Sequence, residues 1–102
     1  MIYSSVFQSS GQHLGFTRED GYIFSRDAAY LGWLEEGFAW DTEGQFRGQV
    51  FDINGNRYIL RNTYSVSPIP RTPKPAPPIP QVPAPLPAIP PIQLKIGFKD
   101  GF

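Results

Sequence analysis

Gln8-Ser-Ser-Gly11-Gln-His-Leu-Gly15 and Asp41-Thr-Glu-Gly44-Gln-Phe-Arg-Gly48 lie over one another, with two Gly four residues apart in each. Ser25-Arg-Asp-Ala28-Ala-Tyr-Leu-Gly32 fits the same frame with Ala28 at the first Gly position. Asp52-Ile-Asn-Gly55-Asn-Arg-Tyr-Ile59 fits it a fourth time, with Ile59 at the second. An apolar or aromatic pair precedes each frame: Val6-Phe7, Ile23-Phe24, Ala39-Trp40 and Val50-Phe51. Agreement at that many places marks an internal repeat. Asp at the start and Gly at the end of 41–44 and 52–55 suit tight hairpin turns. Asp bonds the turn backbone, and Gly takes positive φ at no steric cost. Asn54-Gly55 is the strongest short hairpin signal in the chain. The repeat therefore predicts four short hairpins in a meander. Units this small cannot bury a face alone, so they share one core. A closed or radial arrangement also protects their edge strands.

Working outward from the turns, short aromatic and β-branched runs predict strands over 2–7, 13–17, 22–25, 29–34, 38–40, 47–51 and 57–61. No window shows apolar residues at helical spacing between caps, and the nearest approach, Tyr30, Trp33 and Leu34, stops at Gly37. The fold class is all-β: a small meander of pseudo-repeated hairpins over residues 1–64.

A second composition follows. All 12 prolines lie between Pro68 and Pro91, so residues 65–92 form a proline-rich segment, with 93–102 a short C-terminal aromatic strand or tail. The segment is expected to be an ordered polyproline II stretch, with three residues per turn. Its apolar residues are patterned to match: Ala76, Ile79 and Val82, then Leu86, Ile89 and Ile92 after a one-residue slip. A free linker needs no such stripe. Ile79, Val82, Leu86, Ile89 and Ile92 are therefore expected to dock, with Ile79, Val82, Leu86 and Ile89 largely buried. Lys74-x-x-Pro77-x-x-Pro80 also matches a basic-plus-PxxP ligand, which suits a protein partner with a polyproline-binding groove.

The steps Gly11-x-His13-Leu14-Gly15-Phe16, Leu31-Gly32-Trp33 and Trp40-Asp41-x-x-Gly44 make the chain resemble the 4-fold beta-flower domain family. The chain departs from that pattern at Arg26-Asp27-Ala28, where a Gly turn belongs. The resemblance implies a fold and a bacterial source, and no activity. Gly32-Trp33-x-x-x-Gly37-x-x-Trp40 is also similar in rhythm to choline-binding repeats.

Several chemistries are excluded by residue type. The chain has no Cys and one His, His13, which removes disulfides, thiolate metal sites and paired imidazoles. Formal charge is zero, and residues 1–64 carry five Arg against eight acidic residues, a balance of −3 that residues 65–102 offset. That leaves no basic footprint for nucleic acid. Glu35, Glu36, Asp41, Glu43 and Asp52 are read as caps and solvated tips rather than an acid–base pair, and Gly-x-Ser-x-Gly is absent. Counting from Asp52, Arg57 and Thr63 stand where a calcium loop needs Gly and Glu. No enzyme, cofactor or metal is expected. Residues 1–7 lack the basic and apolar regions of a secretory signal, and a proline run cannot form a membrane helix. Cytoplasmic placement, with no membrane partner, is the resulting default.

Aromatics crowd residues 22–51, and most are expected to fill a marginal core. Tyr22, Tyr30, Trp33 and Trp40 are the candidate aromatic platform. Two functions follow. In the first, the protein is a non-enzymatic interaction or assembly module, a homo-oligomer whose proline-rich segment packs on aromatic strands of its own or a neighbouring subunit. In the second, exposed rings bind a carbohydrate or choline-like ligand and the segment is a spacer. Covered Trp33 and Trp40 favour the first; open rings favour the second.

Overall fold

The aromatic runs and Gly turns pair in chain order in the computed structural model, which describes residues 2–102; Met1, first in the expected 1–64 domain, lies outside them. Eight strands result: β1 (Tyr3–Phe7), β2 (His13–Arg18), β3 (Tyr22–Ser25), β4 (Tyr30–Glu35), β5 (Phe38–Asp41), β6 (Phe46–Ile53), β7 (Asn56–Asn62) and β8 (Phe98–Asp100). The first seven match the expected strands to within two residues at each end. Neighbours are antiparallel throughout, and β1 also pairs with β7 in parallel, at Val6 with Arg57 and Phe7 with Tyr58. An up-and-down meander of seven strands closes this way because its first and last strands run in the same direction. β8 then occupies the rest of that β7 edge, from Leu60 to Asn62. The all-β meander thus closes into a barrel, flat in outline at 37 × 34 × 17 Å.

Four residues, one from each odd strand, make the central core: Val6, Ile23, Ala39 and Ile59. Gly15, Gly32 and Gly48 are the register partners of the first three. A Cβ on any of these glycines would collide with a carbonyl of the next strand, so the frame's second Gly lets strands crowd around the axis. After the core residue, β1, β3 and β5 each shift register, between Val6 and Phe7, Ile23 and Phe24, and Ala39 and Trp40. Such a bulge re-aims the side chain that follows it. The three tips that come next are alike. Gly11 donates to Gln8, Ala28 to Ser25 and Gly44 to Asp41, at 2.8–3.0 Å.

The fourth frame differs from the sequence reading. Asn54-Gly55 forms a tight turn, with φ of 54° and 79°, but it joins β6 to β7 and so lies at the opposite end from the other three tips. Ile59-Leu60 is the fourth apolar pair, and its glycine frame is Gly97-Phe-Lys-Asp-Gly101-Phe102, where the Gly101 amide donates to Ile59 at 3.0 Å. The proline-rich segment is therefore not a terminal appendage. It is inserted in the tip of the fourth hairpin, between β7 and β8.

Candidate functional site

The inserted segment runs as a strap across the tips and the aromatic face of the barrel. Along it, partial burial recurs at Pro68, Arg71, Pro77, Pro80, Ile89 and Ile92. These positions share one phase of a three-residue period, the repeat of a polyproline II helix. Leu86 shares that phase too. Leu86, Ile89 and Ile92 lie on the inner phase, whereas Ala76, Ile79 and Val82 lie one residue off it. Ile79 is 88 % exposed, against the expected burial, and Leu86 keeps 43 % of its surface, while Val82 and Ile89 are half-buried. Arg71 and Lys74 take inner positions instead, with Pro77 and Pro80 beside them. The basic-plus-PxxP motif therefore faces the chain's own barrel.

Non-proline residues of the inner phase supply the amides that fasten the strap. Arg71 donates to Gly44 and Ile89 to Gly11, both at 2.8 Å, and Ile92 donates to Ser9 at 2.9 Å. Close backbone approach explains the glycines at those two tips. A Cβ on Gly11 would meet the Ile89 carbonyl, and one on Gly44 the Arg71 carbonyl. No strap amide bonds the second tip, and there Ala28 stands where the repeat has Gly, at φ 66°.

Where the strap crosses β4 and β5, it places two cations on two indoles. Tyr22, Trp33, Trp40 and Phe46 form one cross-strand row over β3–β6, each the register partner of the next. The Arg71 guanidinium lies 4.9 Å from the Trp40 ring centroid, and Lys74 Nζ lies 5.5 Å from that of Trp33. Glu35 joins them. Its Oε2 accepts from Arg71 at 2.6 Å, its Oε1 accepts from Trp33 Nε1 at 3.2 Å, and Lys74 Nζ is 3.6 Å away. Glu36 adds a longer contact of 3.7 Å to Arg71. Two indole faces and a carboxylate form a cleft for cations, and three-residue spacing delivers Arg71 and Lys74 into it together. Trp33 and Trp40 are each 1 % exposed.

Tyr30 sits apart from that row, opposite Phe24. It meets Tyr22 edge-on at 5.8 Å, and burial pushes its hydroxyl above the usual phenol range. Arg18 covers Tyr22 and Phe24 at 5.4 and 5.1 Å while its Nε and Nη2 donate to the two Asp20 oxygens, each at 2.9 Å. That bond holds the Asp20 carboxyl below its ordinary value and keeps Arg18 protonated. The nominated platform is thus divided: the strap's cations cover Trp33 and Trp40, Arg18 covers Tyr22, and Tyr30 packs edge-on against Tyr22.

A third fastening lies on the first hairpin. His13 is buried between Phe7 and Phe16, with ring centroids 5.3 and 4.8 Å away. Its Nδ1 accepts the Leu86 amide at 3.0 Å. Beside it, Phe7, Tyr58 and Leu60 form an apolar cluster on which Ile89, Ile92 and Leu94 pack. Burial moves the His13 pKa below its ordinary 6.5, helped by the charge of Arg26 and opposed by the Gly15 carbonyl. Glu35, expected as a cap or solvated tip, instead accepts from Arg71 and Trp33 on the barrel face. Glu35 was legible as a strand residue two beyond Trp33, on the same face. Asp41 holds its turn as expected, its Oδ1 accepting the Glu43 and Gln45 amides at 2.9 and 3.0 Å.

Among the described residues, no helix is long and apolar enough to cross a membrane. A family model described as the 4-fold beta flower protein matches residues 2–96, a span that includes the strap. No curated protein matches the chain, and no solved structure does.

Proposed function

The chain belongs to the 4-fold beta flower family, and from that premise we propose that it is a non-enzymatic interaction and assembly module. Its aromatic face is the receptor, and a proline-rich strap carrying spaced cations is the ligand. One observation carries the reading: Arg71 and Lys74 are seated on Trp40 and Trp33 and held by Glu35. Prolines preset the backbone of such a segment, so docking it sacrifices little conformational freedom. A neighbouring subunit's strap presents the same spacing, so the same cleft serves assembly into a homo-oligomer. Cover over Trp33 and Trp40 favours this reading over carbohydrate or choline-like binding, which needs those rings open.

The test uses the full chain with Arg71→Glu and Lys74→Glu, which empties the cleft of its own cations. A peptide of residues 68–80 should then bind in trans and quench Trp33 and Trp40, and the same peptide with both cations replaced should not. Light scattering over a concentration series reports whether parent chains exchange straps. Absence of peptide binding to the double variant would defeat the proposal.

A further inference from the structure

Between the third and fourth hairpins lies a cleft of about 730 Å³ that the strap borders but does not fill. Arg47, Arg61 and Lys99 line it, Phe46 and Phe102 supply apolar walls, and Pro68 forms part of the rim. Arg61 and Lys99 are register partners on β7 and β8, so their side chains leave the same face of the sheet. Like charges placed directly opposite each other across two strands repel and weaken the pairing. Neither residue makes an ion pair among the described residues. Arg61 instead donates to neutral oxygens, to Ser67 Oγ at 2.8 Å and to the Phe46 carbonyl at 3.4 Å.

The carboxylates of the cleft are committed elsewhere. Asp100 accepts the Ser9 amide and the Ser9 hydroxyl, each at 2.7 Å. Asp41 caps its own turn through Oδ1 and meets Arg47 through Oδ2 at 3.5 Å. Arg47 itself donates to the Gly101 carbonyl at 2.6 Å and lies 4.7 Å from the Phe102 ring centroid, which fixes its guanidinium at the cleft wall. Two uncompensated cations face one opening, with a third beside them and rings on either side.

We infer that this cleft binds a small organic oxyanion, a phosphate or carboxylate carried on an apolar or aromatic body. The anionic group lies between Arg61 and Lys99, where it turns their mutual repulsion into shared attraction. The body lies against Phe46. A guanidinium offers the paired donors that either oxyanion accepts. The inference does not rest on the proposed function, because Arg61 and Lys99 lie outside the Trp33–Trp40 cleft, and the docked strap enters only as the wall formed by residues 67–70.

Phenyl phosphate, benzoate and inorganic phosphate serve as probes of the full chain, followed by two-dimensional NMR against sodium chloride at equal ionic strength. Amide shifts should concentrate at Arg47, Arg61, Lys99 and Gly101, and phenyl phosphate should bind more tightly than inorganic phosphate. The ranking of phenyl phosphate against benzoate identifies the preferred anionic group. Arg61→Gln and Lys99→Gln should each weaken binding by roughly tenfold, the loss of one hydrogen bond to a charged group. Lys99→Gln should melt no lower than the parent without ligand, because it removes the like-charge pair and no hydrogen bond of Arg61. Amides that stay unmoved by every probe, or variants that bind as well as the parent, would overturn the inference. Equal affinity for phenyl phosphate and inorganic phosphate would overturn its organic half.

Discussion

Leu86 fastens the strap through an acceptor that titrates. Only a neutral imidazole can accept at Nδ1, so protonation of His13 removes the bond and places a charge among Phe7 and Phe16. In the unfolded chain His13 takes up a proton near its ordinary 6.5, whereas in the folded chain burial holds the pKa lower. The unfolded state therefore binds more protons in that interval, and stability rises with pH across it. Stability from His13 is complete above 6.5 and is lost as pH falls through the lower folded-state value. Urea midpoints should fall between about pH 7.5 and pH 5.5, and His13→Gln should flatten that stretch of the profile. The tip residues offer a second experiment at this scale. Ala28→Gly should stabilise by up to about 1 kcal/mol, since only the left-handed strain of Ala28 is relieved. Gly11→Ala or Gly44→Ala should cost more than about 1 kcal/mol, because the strap backbone must also move away. Thermal melts of the three variants would check both signs.

Among the elements, the strap is the one whose inward face composition concealed. Isoleucine, valine and alanine drew the eye to 76, 79 and 82, but the inner phase there holds Lys74, Pro77 and Pro80. Hydrophobicity is a sound guide where a strand faces a dry core. It fails where the receiving surface is a row of indoles that takes cations and proline rings equally well. Ile79→Ser should accordingly change stability by less than about 0.5 kcal/mol, as at any exposed site. Ile89→Ser should lose about 1–3 kcal/mol through its contact with the Phe7 cluster. Arg71→Ala should cost about 1–2 kcal/mol, combining a half-exposed ion pair with a stacked guanidinium. Chemical denaturation followed by the fluorescence of the two Trp would rank all three variants. The strands themselves were legible, since short aromatic runs between Gly and Asp turns have few other ways to pair. The fourth glycine frame was not. Its apolar pair at Ile59-Leu60 and its glycines at Gly97 and Gly101 are separated by the strap, and no local pattern spans such a gap. The two cationic sites were illegible for a related reason. Glu35 meets Arg71, and Arg61 meets Lys99, only after the barrel has closed.

For the whole molecule, pseudo-fourfold symmetry turns the strap into a replaceable part. Three tips are made by short turns, so the fourth should accept one as well. Replacing residues 63–96 with a copy of the first tip should preserve the far-ultraviolet signature of the sheet and expose Trp33 and Trp40, shifting their emission to the red. Loss of the sheet signal would mean that the barrel depends on its strap. The shared edge of β7 also imposes an order in time. Hairpins β1–β2, β3–β4 and β5–β6 join near neighbours in sequence and can form early, whereas β8 reaches β7 only across the whole inserted strap. Closing that long excursion carries an entropic penalty that the short turns escape, and distant contacts slow folding. The parallel seam between β1 and β7 likewise waits for the other strands to be in place. In pulse-labelled hydrogen exchange, the amides of the first three hairpins should gain protection before those of β8. The last strand thus acts as a latch, and a chain interrupted before it would present an open edge on β7 to any neighbouring strand.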